Sequence, residues 1–189
     1  MGLYPYAERF PVTRGFPEKG RPRAEILAEI TAMAHEEDSP YHEGKISGSI
    51  YSGDEEHYEF LNEVFGHYSH ANVLQRDMYP SATRFEGEII AMGLDLMHAA
   101  AARERGADPV GLLTSGGSGS ILHAMVSYRE AGRLRGITAP NVVKPETAHP
   151  ALSKACHLFG IELREIPVDP ATTTVRVEDV AAGIDENTV

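Results

Sequence analysis

A short apolar segment followed by a run of glycines and serines constrains the fold of this chain more than any other feature. Residues 110–114 have the composition of a buried strand, residues 115–120 are all glycine or serine, and helical periodicity follows over 120–135. A strand, a turn of small residues and a helix in this order aim free backbone N–H groups at one point. The segment predicts an anion-binding turn, although a plain flexible connection has the same composition.

The usual nucleotide-binding motifs do not match this turn. No lysine follows the glycines, as a phosphate-loop ATPase requires, and Leu122 stands where a dinucleotide fingerprint needs glycine. A nucleotide-binding module therefore stays only as a remote alternative.

Strand and helix patterns alternate through the second half of the chain. The predicted elements are strand 110–114, helix 120–135, strand 141–145, helix 150–159, strand 161–168 and helix 176–183. Strands separated by helices predict parallel pairing with right-handed crossovers, and hence an α/β fold. The pattern calls for a further strand after residue 183, where only a few residues remain. We therefore expect the chain to be a piece of a larger domain.

The first half reads as an irregular arm followed by helices. The predicted elements are an arm over 1–20, a helix over 22–37 that residues 38–40 end, a helix opened by a capping box of Ser52 and Glu55, an irregular loop over 69–80, and a helix from a second capping box of Thr83 and Glu86 to about Arg105.

Composition limits the classes of function. The chain has 189 residues, the length of one domain, and a formal net charge of -11, which argues against nucleic acid or an anionic membrane as partner. The single cysteine, Cys156, permits no internal disulfide, and no apolar run approaches the ~20 residues of a membrane span. The start of the chain lacks a signal peptide, so we expect a cytoplasmic protein without a transmembrane segment.

A histidine follows the second predicted strand of this half. His149 lies just before Pro150, which opens a predicted helix. Because ligands of open parallel sheets bind outside the carboxyl ends of the strands, we expect His149 and the 115–120 turn on the same side of the sheet. A single histidine in this position is also a common helix cap.

Four stretches together resemble the sphingosine-1-phosphate lyase group of fold-type I pyridoxal-phosphate (PLP) enzymes, relatives of the glutamate-decarboxylase-like decarboxylases. They lie at 44–51, 71–74, 114–120 and 147–155, in the order of the family. The resemblance covers about residues 20–189 and implies an aspartate-aminotransferase-like large domain with a mainly parallel sheet. It further implies an N-terminal arm and helical segment over 1–80, and the first part of the PLP-binding domain over 81–189.

The resemblance also implies roles for individual residues. Gly117 and Ser118 would anchor the PLP phosphate, and His149 would stack on the pyridine ring and position the substrate for bond cleavage. Tyr51, Asn72 and Gln75 would contact the substrate phosphate from a segment that closes over the partner subunit, which implies a homodimer with shared sites. The same residues have plainer interpretations: loop packing for Tyr51, a turn for Asn72 and a helix cap for Ser118.

Two departures from the family pattern qualify the resemblance. Gln75 stands where the family usually has a histidine that binds phosphate, and glutamine carries no positive charge. The chain's four lysines are Lys19, Lys45, Lys144 and Lys154, and none has the His-Lys context of the family's Schiff-base lysine. We therefore expect these residues alone not to complete the reaction.

The leading hypothesis is a PLP-dependent carbon–carbon lyase that cleaves a long-chain base phosphate into a fatty aldehyde and phosphoethanolamine. A PLP-dependent amino-acid decarboxylase and a non-catalytic pseudoenzyme subunit are the alternatives. No metal site is expected, since His67 and His70 lack a third ligand nearby in sequence.

Overall fold

The computed structural model describes residues 4–46, 48 and 53–189. The chain divides into two compact units, residues 1–70 and 71–189. The organisation that the sequence implies, 1–80 and 81–189, stays a prediction.

The first unit contains two helices, α1 (Arg23–His42) and α2 (Glu55–Tyr68). The prediction that residues 38–40 end the first helix is wrong, because Pro40 lies inside α1. A proline cannot donate the backbone hydrogen bond to the residue four positions earlier, so α1 continues past Pro40 without that one bond. Here the Pro40 carbonyl accepts from the Lys45 N–H at 2.8 Å, so the chain continues to turn.

The start of α2 has a side-chain cap. The Asp54 carboxylate accepts from the His57 N–H at 3.1 Å, which satisfies one of the free donors of the first turn. Ser52, the cap expected from the sequence, lies outside the described residues, as does Tyr51.

The second unit opens with α3 (Pro80–Leu96) and α4 (Ala99–Glu104). The expected single helix from Thr83 to about Arg105 is wrong at its start and in its middle. Pro80 occupies the first turn, where its fixed φ favours a helix, so α3 begins before Thr83. His98 adopts a left-handed conformation, with φ 58°, and separates the two helices.

Residues 110–114 form no strand, contrary to the sequence prediction. Among the described residues none pairs with the backbone of 110–113, and a strand requires such a partner. The apolar side chains remain largely exposed, to 81% at Val110 and 60% at Leu112. The following helix, α5 (Gly117–Leu134), begins at the second glycine of the turn, three residues earlier than predicted.

The described sheet consists of β1 (Asn141–Pro145) and β2 (Glu162–Ile166), which are parallel, with Asn141 opposite Glu162. Helix α6 (Pro150–Phe159) connects them, as the alternating pattern predicts. After α7 (Val177–Gly183) the chain returns to β1, where the Val189 N–H donates to the Asn141 carbonyl at 3.1 Å. The alternating pattern calls for a further strand after α7, and a parallel bridge joins Thr188 to Asn141 at this point.

Helices cover both faces of β1. On one face, the core consists of five buried residues from α5, β1, α6 and the residue before β2: Met125, Val142, Ala155, Cys156 and Ile161. On the other face α7 approaches closely, since a Cβ added at Gly183 would lie 3.0 Å from Val143 Cγ1. The side chains of Val142 and Val143 thus pack on helices at opposite faces of the sheet, because successive side chains of a strand point to opposite faces.

A buried polar network holds the returning segment against β1. Asn141 is fully buried, and its side-chain amide donates to the Asp185 carboxylate at 2.7 Å and accepts from the Thr188 hydroxyl at 2.7 Å. The Arg164 guanidinium donates to the same carboxylate at 2.8 Å. The Asn141 amide and the Arg164 guanidinium lower the pKa of Asp185 to about 2.

This carboxylate makes the stability of the second unit depend on pH. A depressed pKa means that the folded chain binds the proton of Asp185 less well than the unfolded chain does. The ionised carboxylate therefore contributes fully to the stability of the fold above about pH 4, and this contribution disappears as the pH falls through about 2. We expect the urea midpoint of the wild type to fall between pH 4 and pH 2 more steeply than that of Asp185→Asn. Asp108→Asn, which makes the same charge change elsewhere, is the control; equal slopes for Asp185→Asn and wild type would contradict the assignment.

Candidate functional site

The glycine turn before α5 is held by its own hydrogen bonds. Gly116 has φ 151° and ψ 173°, a conformation that only glycine adopts without strain. The Thr114 hydroxyl donates to the Gly116 carbonyl at 3.0 Å and lies 2.7 Å from the Ser120 hydroxyl. The predicted anion-binding turn therefore has a defined shape although the segment before it is not a strand.

Three consecutive backbone N–H groups point out of this turn. The Ser120 N–H donates to the Gly116 carbonyl at 3.0 Å, whereas those of Gly117, Ser118 and Gly119 have no acceptor among the described residues. Ser118 is exposed, and a Cβ added at Gly117 would meet nothing within 4 Å. Open space, free donors and a helix N-terminus together suit a phosphate group.

His149 is the cap of α6. Its Nδ1 accepts from the Ala151 N–H at 3.1 Å, which places the proton of the neutral ring on Nε2 and fixes the direction of the imidazole. The residue is nevertheless exposed, so it is accessible to a ligand. The helix-cap interpretation and the ligand interpretation of His149 are therefore compatible.

The two helix N-termini lie at the same end of a helix pair. Near the other end, the Arg129 guanidinium of α5 donates to the Phe159 carbonyl of α6 at 3.1 Å and lies 5.4 Å from the centre of its ring. Toward their starts, Leu122 and Leu152 pack on the same core. Helices α5 and α6 thus run in the same direction, and both begin on the side where β1 ends. In parallel sheets this edge is where ligands bind, at the strand where the order of connections reverses.

Asn72 and Gln75 form a tight turn before α3. The Asn72 side-chain oxygen accepts from the Leu74 N–H at 3.1 Å, and its carbonyl accepts from the Gln75 N–H at 3.0 Å. Asn72 thus forms a turn, which is one of the two interpretations that the sequence allowed. The side chains of Asn72 and Gln75 are both exposed. No described hydrogen bond joins them to Gly117, Ser118 or His149.

No role was assigned from the sequence to two further residues, of which Thr114 lies in the 114–120 stretch and Arg76 does not lie in any of the four stretches. Arg76, directly after Gln75, and Thr114, at the base of the glycine turn, line one groove of about 430 Å³. The signal for Thr114 was its place between an apolar segment and the glycines. A signal for Arg76 was its charge in a chain with a large excess of acidic residues.

Two other chemically capable residues are buried away from solvent. The Lys144 ammonium lies 2.6 Å from the Glu165 carboxylate, and the residue is 4% exposed. Burial raises the pKa of the Cys156 thiol, which makes it a poor nucleophile. Both residues therefore act as structural groups.

Two further features were looked for in the part of the chain that the structure describes. No three His, Cys, Asp or Glu side chains there are grouped so as to hold a metal ion. None of the helices described is both long enough and apolar enough to cross a bilayer.

Comparison with known proteins gives strong and consistent similarities. The chain is 34% identical over 174 residues to the sphingosine-1-phosphate lyase of Drosophila melanogaster, covering 92% of this chain and 31% of that protein. It is 37% identical over 147 residues to a probable sphingosine-1-phosphate lyase of Legionella pneumophila, covering 77% and 23% respectively. The chain thus spans about a third or less of the length of these relatives. No family model matches the chain.

Solved structures agree with the sequence relatives. The sphingosine-1-phosphate lyase of Burkholderia pseudomallei superposes with a TM-score of 0.88 at 47% identity, covering 99% of this chain and 43% of that one. The glutamate decarboxylase of Lactobacillus brevis superposes with a TM-score of 0.64 at 18% identity over 96% of this chain and 41% of that one, which shows the fold alone. The predicted α/β, fold-type I architecture is confirmed, and the chain belongs to the sphingosine-1-phosphate lyase family.

Proposed function

We propose that this chain is part of a PLP-dependent carbon–carbon lyase that splits a long-chain base phosphate into a fatty aldehyde and phosphoethanolamine. The observation that supports it best is the pairing of an open glycine turn at the start of α5 with an exposed, capped histidine at the start of the parallel helix α6. The glycine turn supplies a binding site for an anion, and His149 supplies a flat ring on the same edge of the domain.

The residues of the turn suit the phosphate of PLP. The N–H groups of Gly117, Ser118 and Gly119 are free to donate to phosphate oxygens, and the Ser118 hydroxyl adds a fourth donor. The missing side chain at Gly117 leaves room for the approach. Because Nδ1 of His149 is engaged by the Ala151 N–H, the imidazole is held in one orientation, as stacking on a pyridine ring requires.

PLP, when bound, supplies an electron sink for the bond that breaks. The contribution of this chain is to hold the phosphate, to orient the ring system through His149 and to bind the substrate. For the substrate phosphate we assign Tyr51, Asn72 and Gln75, the last two through neutral amide donors. We further propose that the enzyme is a cytoplasmic homodimer in which these residues serve a shared site.

A histidine variant separates capping from cofactor binding. His149→Asn keeps a good helix cap but removes the flat ring. We expect it to retain the thermal stability of the wild type and to bind PLP about tenfold more weakly in equilibrium dialysis, because ring stacking contributes about 1.5 kcal/mol. His149→Ala, which removes both roles, should lose stability as well. Unchanged PLP affinity in His149→Asn contradicts the proposed stacking.

The reaction is tested on the PLP-loaded holoenzyme that contains this chain. A phosphorylated long-chain amino alcohol should yield aldehyde without carbon dioxide. Release of carbon dioxide from an amino acid identifies a decarboxylase instead. PLP binding with neither product, on either substrate, identifies a non-catalytic subunit.

A further inference from the structure

The hydroxyl groups of Thr114 and Ser120 meet inside the glycine turn. Their oxygens are 2.7 Å apart, and both also lie within hydrogen-bond distance of the Gly116 carbonyl, Thr114 at 3.0 Å and Ser120 at 3.3 Å. The Gly116 N–H donates in turn to the Thr114 oxygen at 3.4 Å. Thr114 therefore contacts both polar backbone groups of Gly116, the residue whose φ of 151° shapes the turn.

The two hydroxyl protons are both used within the turn. If Thr114 donates to the Gly116 carbonyl, Ser120 donates to the Thr114 oxygen; if Ser120 donates to that carbonyl, Thr114 donates to the Ser120 oxygen. Neither arrangement leaves a hydroxyl proton of Thr114 or Ser120 for a ligand. The Ser118 hydroxyl, by contrast, makes no hydrogen bond within the described part of the chain and keeps its proton for a phosphate oxygen.

The Thr114 side chain also packs against the last residue that carries a free donor. A Cβ added at Gly119 would lie 3.7 Å from the Thr114 Cβ and 3.9 Å from its hydroxyl oxygen, an ordinary van der Waals separation. One half-buried side chain thus holds the turn at two points, Gly116 through hydrogen bonds and Gly119 through packing. The N–H groups of residues 117–119, which have no acceptor among the described residues, belong to the segment that Thr114 holds.

A turn of this composition needs such support to keep one shape. Three of the four residues over 116–119 are glycines, which have more backbone freedom than any other residue. The apparent affinity of a ligand falls in proportion to the fraction of molecules that hold the binding conformation. Hydrogen bonds that hold the turn in one conformation therefore strengthen phosphate binding without contacting the phosphate.

We propose that Thr114 is a positioning residue whose hydroxyl, together with that of Ser120, holds the N–H groups of residues 117–119 in the arrangement that binds the phosphate of PLP. The inference rests on the proposed function, because it deepens the same phosphate site. It divides the serines that follow Thr114 by role: Ser118 contacts the phosphate, whereas Ser120 stabilises the turn.

The first measurement requires no cofactor. The Ser120 N–H donates to the Gly116 carbonyl at 3.0 Å, so its hydrogen exchange, followed by NMR, reports how often the turn opens. Thr114→Val removes the hydroxyl and should speed this exchange about tenfold, as the loss of one hydrogen bond implies. Thr114→Ser keeps the hydroxyl and should restore the slow exchange. Unchanged exchange in Thr114→Val overturns the proposal.

Thr138 provides the matched control. It lies in the turn after α5, it is exposed, and its hydroxyl makes no hydrogen bond among the residues that the structure describes. Thr138→Val should therefore leave both the exchange of the Ser120 amide and the affinity for PLP as in the wild type. Equal effects of Thr138→Val and Thr114→Val would show a general response to the loss of a hydroxyl and reject the role of Thr114.

PLP and pyridoxal, which lacks the phosphate, distinguish positioning from a general loss of structure. In equilibrium dialysis Thr114→Val should bind PLP about tenfold more weakly than the wild type and pyridoxal equally well, because only the phosphate site is less often formed. Thr114→Ser should restore the affinity for PLP. Ser120→Ala should give a smaller loss, since Thr114 still donates to the Gly116 carbonyl. Equal weakening of both compounds in Thr114→Val contradicts a role at the phosphate.

The same titrations keep the two proposals distinct. A wild type that binds PLP no more tightly than pyridoxal rejects the phosphate site, and the role of Thr114 with it. A wild type that prefers PLP, combined with unchanged PLP affinity in Thr114→Val, rejects the role of Thr114 alone. Faster exchange of the Ser120 amide with that unchanged affinity leads to the same rejection, because the shape of the turn would then not limit binding.

Discussion

Gly117→Val is expected to weaken PLP binding about 100-fold while leaving the fold unchanged. A Cβ at this position meets nothing within 4 Å among the described residues, so we expect the fold to accept a side chain there. The valine methyls would instead occupy the space in front of the free N–H groups. Loss of two hydrogen bonds to a charged phosphate, about 1.5 kcal/mol each, corresponds to about 100-fold in affinity. Equilibrium dialysis against PLP measures the loss.

A matched glycine elsewhere controls for this substitution. Gly93 lies within α3, and a Cβ added there also meets nothing within 4 Å. Gly93→Val should therefore bind PLP like the wild type, and both variants should keep the far-ultraviolet circular dichroism of the parent. Wild-type PLP affinity in Gly117→Val would show that the turn is a structural connection rather than a phosphate site.

Asn141→Ala is expected to have the largest effect on stability, a loss of about 3 kcal/mol in the free energy of unfolding. The substitution removes the fully buried amide and leaves the Asp185 carboxylate and the Thr188 hydroxyl without their partner at β1. At about 3 °C per kcal/mol for a chain of this size, Tm should fall by about 9 °C. Calorimetry or urea denaturation measures the change.

The neighbouring asparagine is the control for this effect. Asn187 joins the same bridge through its backbone carbonyl, and its side chain makes no hydrogen bond within the described part of the chain. Asn187→Ala should therefore cost under about 0.5 kcal/mol, like a substitution away from any buried network. Similar losses for the two variants would show that the amide network adds nothing specific to stability.

Local sequence signals were sufficient to predict an element where the residues that begin, end or stabilise it lie within or next to it in the chain. Strand 141–145 and helix 150–159 lie where the periodicity predicts them, since Pro150 opens the helix and Gly160, with φ 64°, closes it. The glycine turn likewise depends on its own residues, because Gly116 supplies the conformation and Thr114 the hydrogen bond. The roles assigned to Gly117, Ser118, Asn72, Gln75 and His149 stay predictions.

Local sequence signals gave a wrong prediction where the secondary structure of a segment depends on residues outside it. Residues 110–114 have the composition of a strand, yet no described strand lies beside them to share backbone hydrogen bonds. The capping box of Thr83 and Glu86 was overridden by Pro80, which begins the helix a turn earlier. Glu86 instead pairs with Arg76.

The amino-acid sequence by itself determined the α/β class, the family and the presence of a glycine turn and a histidine at two helix starts, because periodicity and motif spacing are local properties. Only the tertiary structure decided that the chain returns to β1 through Asn141, that α5 and α6 run in the same direction, and that Arg76 shares a groove with Thr114. These features join residues far apart in the chain, and their energies come from burial and hydrogen bonds that exist only after the elements have packed.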